Sequence, residues 1–275
     1  KFVEMYAQQL VAGGVVGNYI TNETAGTLDT SGADPVKIVY SDPGSPDYFP
    51  TANIARFSGG RHIFEKTDQI TALRAYFDEL IVGKVNSAWT FSGTGANVSI
   101  SALPMTIGVD GHRAIAETPW SLHFLFENNI FGARLTSRGL VSTNISSLLT
   151  NLDGTNLQKN VTIRHDRTHT VRWGLRENST SQNSLGLLYD YSLDAWTSRY
   201  NGLSMGYLTR AIVNGNREIL ACSQQDGFIY RLDVGTTFSG TAITSSVTLP
   251  WLQAKTEDGI AHVVRWSNGQ FYKSK

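Results

Sequence analysis

Two series of short strand-like segments recur along this chain at nearly constant spacing, and that recurrence restricts the fold more than any other feature. One series carries aromatic residues: "VKIVYSD" from Val36, "SAWTFSG" from Ser87, "IFGARLT" from Ile130, "LGLLYDYSLDAWTSRY" from Leu185, "FIYRLDV" from Phe228 and "FYKSK" from Phe271, at intervals of 51, 43, 55, 43 and 43 residues. The other series comprises "ELIVGK" from Glu79, "SLHFLFE" from Ser121, "HTVRWGLRE" from His169, "EILACSQ" from Glu218 and "HVVRWSN" from His262, spaced 42, 48, 49 and 44 residues apart. A repeat of this size built from several short strands is the signature of propeller blades, because a sheet with two apolar faces can bury both only against neighbouring copies. The expectation is an all-β fold, a β-propeller of about five to six four-stranded blades with one blade split or incomplete, spanning residues 1–275 as a single domain. Two stacked β-sandwich domains are the alternative.

Local patterns agree with strands. In "HTVRWGLRE", Val171, Trp173 and Leu175 share one face while Arg172 and Arg176 share the other. "ELIVGK" is a continuous apolar run, as expected of a strand covered on both sides. Trp89, Phe131, Trp196, Tyr230 and Phe271 are expected to fill the wedges between blades. "ITALRAYFDEL" fits a helical face through Ile70, Leu73, Phe77 and Leu80, but is read as two strands around a turn at Asp78. The best helical stretch is "TNISSLLTNL", residues 143–152, with Asn144 as its cap. "KFVEMYAQQLVAGG" reads as strand-like from the start, and a polar inserted arm at about 13–35 breaks the period. The chain opens at Lys1 without a signal-peptide pattern and its final strand pair stops at Lys275, so it is expected to be an excerpt of a longer or processed polypeptide.

Charge and motifs narrow the function classes. Lys plus Arg is 23 and Asp plus Glu is 23, which removes the simple case for a basic nucleic-acid surface, local patches aside. Cys222 is the single cysteine, so an internal disulfide framework and a Cys-rich zinc site are excluded. The longest apolar stretches are too short to span a bilayer, and no membrane insertion is expected. In "RHDRTH", His165 and His169 on a strand would stand about 13 Å apart, too far to share a metal. Asp190, Asp194 and Asp258 read as turn formers: "SLDAW" lacks the glycine and the tryptophan spacing of sialidase-type repeats, and "TEDGIAHVVRW" lacks an aromatic at the right distance. The Gly13-Gly14 and Gly59-Gly60 doublets do not recur as in kelch repeats, no Trp-Asp dipeptide closes a blade, and no phosphate loop is present. No catalytic residue, cofactor or metal site is expected, and the chain is not read as an enzyme.

Four stretches of the chain carry a resemblance. "VKIVYSDPGSPDYFP", "ITALRAYFDELIVGKVNSAWTFSG" with "LHFLFENNIFGARL", and "SLGLLYDYSLDAWTSRY" resemble the propeller region of tail nozzle and DNA-stabilising tail proteins of short-tailed bacteriophages. In that family the stretch runs Tyr-Ser-Asp-Pro, Leu-Ile-Val-x-Lys and Asp-Tyr-x-x-x-x-Trp. The resemblance covers about residues 35–235 and departs at residues 13–34 and after Gly235. It implies a structural virion protein, assembled in the host cytoplasm into a homo-oligomeric ring, often a hexamer, around the genome-exit channel. The partners it implies are copies of the same chain, adjacent tail or adaptor proteins, and DNA in transient, non-specific passage. A glycan-binding or glycan-cleaving propeller module is the competing reading.

Ring neighbours must meet through segments the blade repeat does not need. The excursion from Gly17 to Asp34 and the loop "SDPGSPDYFP" from Ser41 to Pro50 qualify. In the loop, Pro46 stiffens the backbone and Tyr48 and Phe49 offer aromatic anchors, so these three residues are the candidate assembly interface. An ordinary blade connection, its aromatics folded back onto their own propeller, is the alternative for this loop.

Overall fold

Alternating apolar positions rich in β-branched and aromatic residues, cut at short intervals by turns, favour antiparallel ladders over helices. The structure is a computed structural model that describes residues 2–15, 19–22, 27–29, 34–46, 60–63, 68–94, 97–104, 107–136, 139–144, 152–156, 159–178, 180–234, 237–238, 241–242, 253–255 and 261–263. No α-helix occurs among them. Two compact units divide the chain, Lys1–Asp233 and Val234–Lys275.

The first unit is a succession of propeller blades. Its first sheet begins with β1 (Phe2–Tyr6) and β2 (Gln9–Val15), is interrupted by a hairpin of β3 (Tyr19–Asn22) and β4 (Thr27–Asp29), and resumes with β5 (Asp34–Tyr40) and β6 (Gly60–Ile63) in the order β1-β2-β5-β6. The second is β7 (Ile70–Tyr76), β8 (Glu79–Lys84), β9 (Ala88–Ser92) and β10 (Ser99–Ala102). The third is β11 (Ile115–Glu117), β12 (Leu122–Phe126), β13 (Asn129–Thr136) and β14 (Gly139–Asn144). The fourth is β15 (Val161–His165), β16 (Thr170–Leu175), β17 (Leu185–Asp190) and β18 (Ala195–Asn201), and the fifth has three strands, β19 (Met205–Val213), β20 (Asn216–Ser223) and β21 (Ile229–Arg231). All pairings are antiparallel between neighbours in sequence, apart from the inserted hairpin. The second unit contains two short ladders, β22 (Thr237–Phe238) with β23 (Thr241–Ala242) and β24 (Gln253–Lys255) with β25 (Ala261–Val263).

In these five sheets, the two recurring series are the second and third strands. Through the second, third and fourth sheets those central strands are largely buried on both faces, whereas β21 of the fifth is largely exposed, and the repeat is clearest where that burial holds. Along β8, Leu80 and Val82 pack toward the first sheet with Val11, Ile38 and Tyr40, while Ile81 packs toward the third with Leu122, Phe124 and Phe126. Leu125 and Ile130 of the third sheet meet Val171, Trp173, Leu175 and Leu187 of the fourth. Val161 of the fourth meets Met205, Leu208, Ile219 and Ala221 of the fifth. Every apolar cluster therefore lies between two sheets, and each fully buried Leu or Phe there contributes about 1.5–3 kcal/mol.

Several expectations are refined. Ile70 to Leu80 forms strands, with Phe77 at φ 52° in the turn, as the two-strand reading has it. "KFVEMYAQQLVAGG" is not one strand but a hairpin turning at Ala7 and Gln8, both at positive φ (46° and 64°). The first sheet is accordingly not split: its four strands pair in one sheet, and the arm, placed at about 13–35, is confined to residues 16–33 because β2 runs on to Val15 and β5 starts at Asp34. Asn144, the proposed helix cap, ends β14, and Leu152 bridges to Glu177; residues 145–151 between them lie outside the described residues. Trp89, Phe131, Trp196 and Tyr230 each pack, partly buried, against an inter-sheet cluster, while Phe271 lies outside the described residues.

Candidate functional site

The candidate assembly surface is built on the first sheet. The hairpin β3–β4 leaves between β2 and β5, and the proline-rich loop leaves after Tyr40, so the two segments depart from opposite ends of β5. The base of the loop is pinned to the β1–β2 turn. Ser41 N donates to Leu10 O (2.9 Å), Leu10 N donates to Ser41 Oγ (2.9 Å), Gln9 Nε2 donates to Ser41 O (2.6 Å), and Gly44 N donates to Gln8 O (2.9 Å). Asp42 and Ser45 close a small bridge around Gly44, whose φ of 79° suits glycine and whose missing Cβ faces open space. Beyond this anchored base Pro46 is exposed; Tyr48 and Phe49 lie outside the described residues.

A second feature escapes sequence reading altogether. The first strands of the five sheets lie side by side, β1 against β7, β7 against β11, β11 against β15 and β15 against β19. Across them runs a chain of alternating charge. Arg74 sits between Glu4 (4.0 Å) and Glu117 (3.6 Å), Arg210 between Glu117 (3.4 Å) and Asp166 (3.6 Å), and Arg164 closes on Asp166 (2.5 Å). Arg74 also donates to Ile115 O at 2.9 Å. Burial raises the Glu4 pKa despite Arg74 beside it. Three acids offset three arginines, so this strip is neutral overall, and partial exposure limits each pair to a small share of stability. Its chemistry suits clasping adjacent sheets rather than drawing a polyanion through them.

Other constellations are structural. Asp190 Oδ1 accepts from Ser192 N (2.8 Å), Ser192 Oγ (2.6 Å) and Leu193 N (3.0 Å), the turn-forming role expected of it. Asp194 accepts from the Tyr189 hydroxyl and pairs with Arg134 at 3.4 Å. In "RHDRTH", His165 ends β15 and His169 (φ 53°) follows a 3-10 turn over Asp166–Thr168; no cluster of three or more potential metal ligands exists among the described residues. Ser121 and His123, two apart on a strand approach and hence on one face, meet at 2.6 Å from Oγ to Nε2. This pair has the elements of a nucleophile and its base. Yet both are buried, His123 Nδ1 has no orienting partner among the described residues, and burial, with Arg134 adding to it, lowers the imidazole pKa to about 4, a weak base at neutral pH.

No protein-family model and no curated protein sequence matches the chain. Among solved structures it is similar to Sqt1 of Saccharomyces cerevisiae, at 9% identity and a TM-score of 0.45 over 81% of this chain and 69% of that one. It is also similar to the dihydro-heme d1 dehydrogenase NirN in complex with DHE, at 12% identity and a TM-score of 0.43 over 83% of this chain and 46% of that one. At these scores neither likeness carries an argument about activity, and the propeller assignment stands on the chain's own sheets.

Proposed function

We propose that this chain is a structural propeller of a short-tailed bacteriophage tail, in the nozzle or head-to-tail connector region, and that copies of it form a ring around the genome-exit channel. One observation carries the reading: in each of the three short motifs behind the family resemblance, described residues occupy joints that build blades. In Tyr40-Ser41-Asp42-Pro43, Ser41 is fully buried and ties the third strand of the first sheet to its β1–β2 turn. In Leu80-Ile81-Val82-Gly83-Lys84, the apolar residues fill both inter-sheet faces. Lys84, also fully buried, pairs with Asp68 at 2.8 Å, and Asp68 in turn accepts from Asn86 N and Ser87 Oγ to close the β8–β9 turn. In Asp190-Tyr191-x-x-x-x-Trp196, Asp190 shapes the turn and Tyr191 and Trp196 pack against the apolar cluster between the third and fourth sheets. A signature spent on architecture suits a protein whose work is assembly.

Native mass spectrometry and negative-stain imaging of the full-length protein test this. Closed rings, six subunits the expected number, support it, and replacing Pro46, Tyr48 and Phe49 together by Ser should leave the melting temperature near wild type while abolishing the rings. A monomer at every concentration tried overturns it. A glycan-binding module is the second reading, and a specific observation favours it: Trp120 is 55% exposed and its ring lies 5.4 Å from Tyr191, offering an apolar face of the kind on which sugar rings stack.

A further inference from the structure

Between the first hairpins of the fourth and fifth sheets lies a cavity of about 360 Å³. Its walls come from the end of β15 and the turn after it (His165, Asp166, Arg167), from Arg210 on β19 and from the start of β20 (Asn216, Arg217, Glu218). The two acids are already committed. Glu218 is held by Arg231 (2.6 Å from Nη2 to Oε1), and Asp166 by Arg164 (2.5 Å) and Arg210 (3.6 Å). Arg167 and Arg217, by contrast, have no ion pair among the described residues, and both are exposed at the cavity. Two guanidiniums thus meet one small space with no acid left to satisfy them.

The second observation is independent of charge. His165 is 9% exposed, and its Nε2 has no hydrogen-bond partner among the described residues. Its Nδ1 lies 2.9 Å from Thr168 Oγ1, which in turn lies 2.8 Å from Thr170 Oγ1. Either threonine hydroxyl can donate in this chain, and in both tautomers Nε2 is a buried polar atom without a partner among the described residues. Such an atom is costly to leave unpaired. Burial lowers the His165 pKa, with Asp233 and Asp166 raising it and Arg172 and Arg167 lowering it, which favours the uncharged ring.

We propose that this cavity binds a phosphomonoester, with the phosphate held by Arg167 and Arg217 next to His165, and a small polar body such as one sugar ring in the remaining space. Guanidinium forks match oxyanions, and the donors here outnumber the two oxygens of a carboxylate but suit the three terminal oxygens of a phosphate. The volume stands at the small end of ligand sites, which limits the ligand's size. This inference does not depend on the assembly reading, since the cavity is on the fourth and fifth sheets and the candidate assembly segments are on the first.

Calorimetric titration of the full-length protein with inorganic phosphate, glucose 6-phosphate, glucuronate and a short DNA oligonucleotide tests it. Saturable binding of glucose 6-phosphate, at least tenfold weaker in the double variant Arg167→Gln, Arg217→Gln with an unchanged melting curve, supports the proposal. Inorganic phosphate competing for the same sites locates the recognition in the phosphate. A direct readout on the unaltered protein is the NMR titration of His165, whose pKa should rise when glucose 6-phosphate is present. Equal binding of glucuronate, binding of the oligonucleotide alone, binding unaffected by the double variant, or no saturable binding of either phosphate would each overturn it.

Discussion

The two faces of the fourth sheet are both buried and yet are built on opposite terms. Toward the third sheet, Val171, Trp173, Leu175, Leu185 and Leu187 are fully buried and form a dry apolar layer with Leu125 and Ile130. Toward the fifth sheet the same strands present Arg172, Gly174 and Gly186. There Arg172, 4% exposed, reaches Asp233 at 2.5 Å and Tyr200 Oη at 3.3 Å with its guanidinium over the Tyr200 ring, which itself occupies the space above Gly186. A Cβ on Gly174 would stand 2.9 Å from atoms of Met205 and Val161. One interface is made by apolar filling alone, while the other adds close backbone approach and a hydrogen-bonded charge to its apolar cluster around Val161 and Met205. Strand alternation alone sorts residues to the two sides, so a single strand can serve both designs.

Removing volume should hurt the apolar side most. Trp173→Ala is expected to cost about 3–5 kcal/mol, the range for large aromatic deletions in a core. Trp196 packs at the edge of the same cluster and only in part, beside Tyr189 at 5.1 Å, so Trp196→Ala should cost a smaller amount, about 1–2 kcal/mol. Urea midpoints of the two variants measure the difference; equal losses would show that the edge aromatic carries as much of the interface as the buried one.

On the polar side the expected effect is smaller and asymmetric. Asp233→Ala leaves Arg172 buried with the Tyr200 hydroxyl as its remaining partner among the described residues, which should cost about 2–3 kcal/mol. Arg172→Met removes the buried charge and leaves Asp233, whose side chain is 47% exposed, to water, so its cost should stay within about 1 kcal/mol. Chemical denaturation decides. If the arginine variant is the worse of the two, the pair is net stabilising and the interface depends on charge rather than tolerating it.

Much of the fold was legible because the central strands are covered on both sides: a run such as "ELIVGK" has no solvent face to disguise it. The opening hairpin was not, since β1 turns at Ala7 and Gln8, and neither residue is a glycine or asparagine that would announce positive φ. The ion chain was hidden for a different reason. Glu4, Arg74, Glu117, Arg164 and Arg210 lie one per first strand, a pattern visible only once the first strand of every blade is identified. Of the candidate interface, sequence could nominate Pro46, but the hydrogen bonds that fix its loop run to Gln8, Gln9 and Leu10, contacts far apart in sequence. Ser121 and His123 were missed because a serine and a histidine two apart carry no motif; only the shared strand face unites them.

Acidification should separate the two interfaces by a modest amount and with the clearest sign. His123 lies on the apolar side, its ring 5.1 Å from Tyr189, and burial depresses its pKa from 6.5 to about 4, whereas Arg172 on the polar side stays protonated throughout. A histidine depressed in the folded state stabilises above its unfolded pKa, where both states are neutral, and that contribution is lost as pH falls through 6.5 toward 4 because the unfolded chain takes up the proton first. Between pH 7.5 and pH 5 the loss should be about 1–2 kcal/mol. Asp110, whose carboxyl burial raises to about 7, acts in the opposite sense as pH falls, and His112, also depressed to about 4, acts in the same sense as His123. The wild-type slope is therefore a mixture, and the informative quantity is the difference between wild type and His123→Gln. Because glutamine does not titrate, the variant should lose less stability than wild type between those two pH values, by about the amount given above, whatever its absolute stability. Parallel pH profiles for the two proteins would mean that His123 is reached by water in the folded state and that the apolar interface is less dry than its neighbours make it.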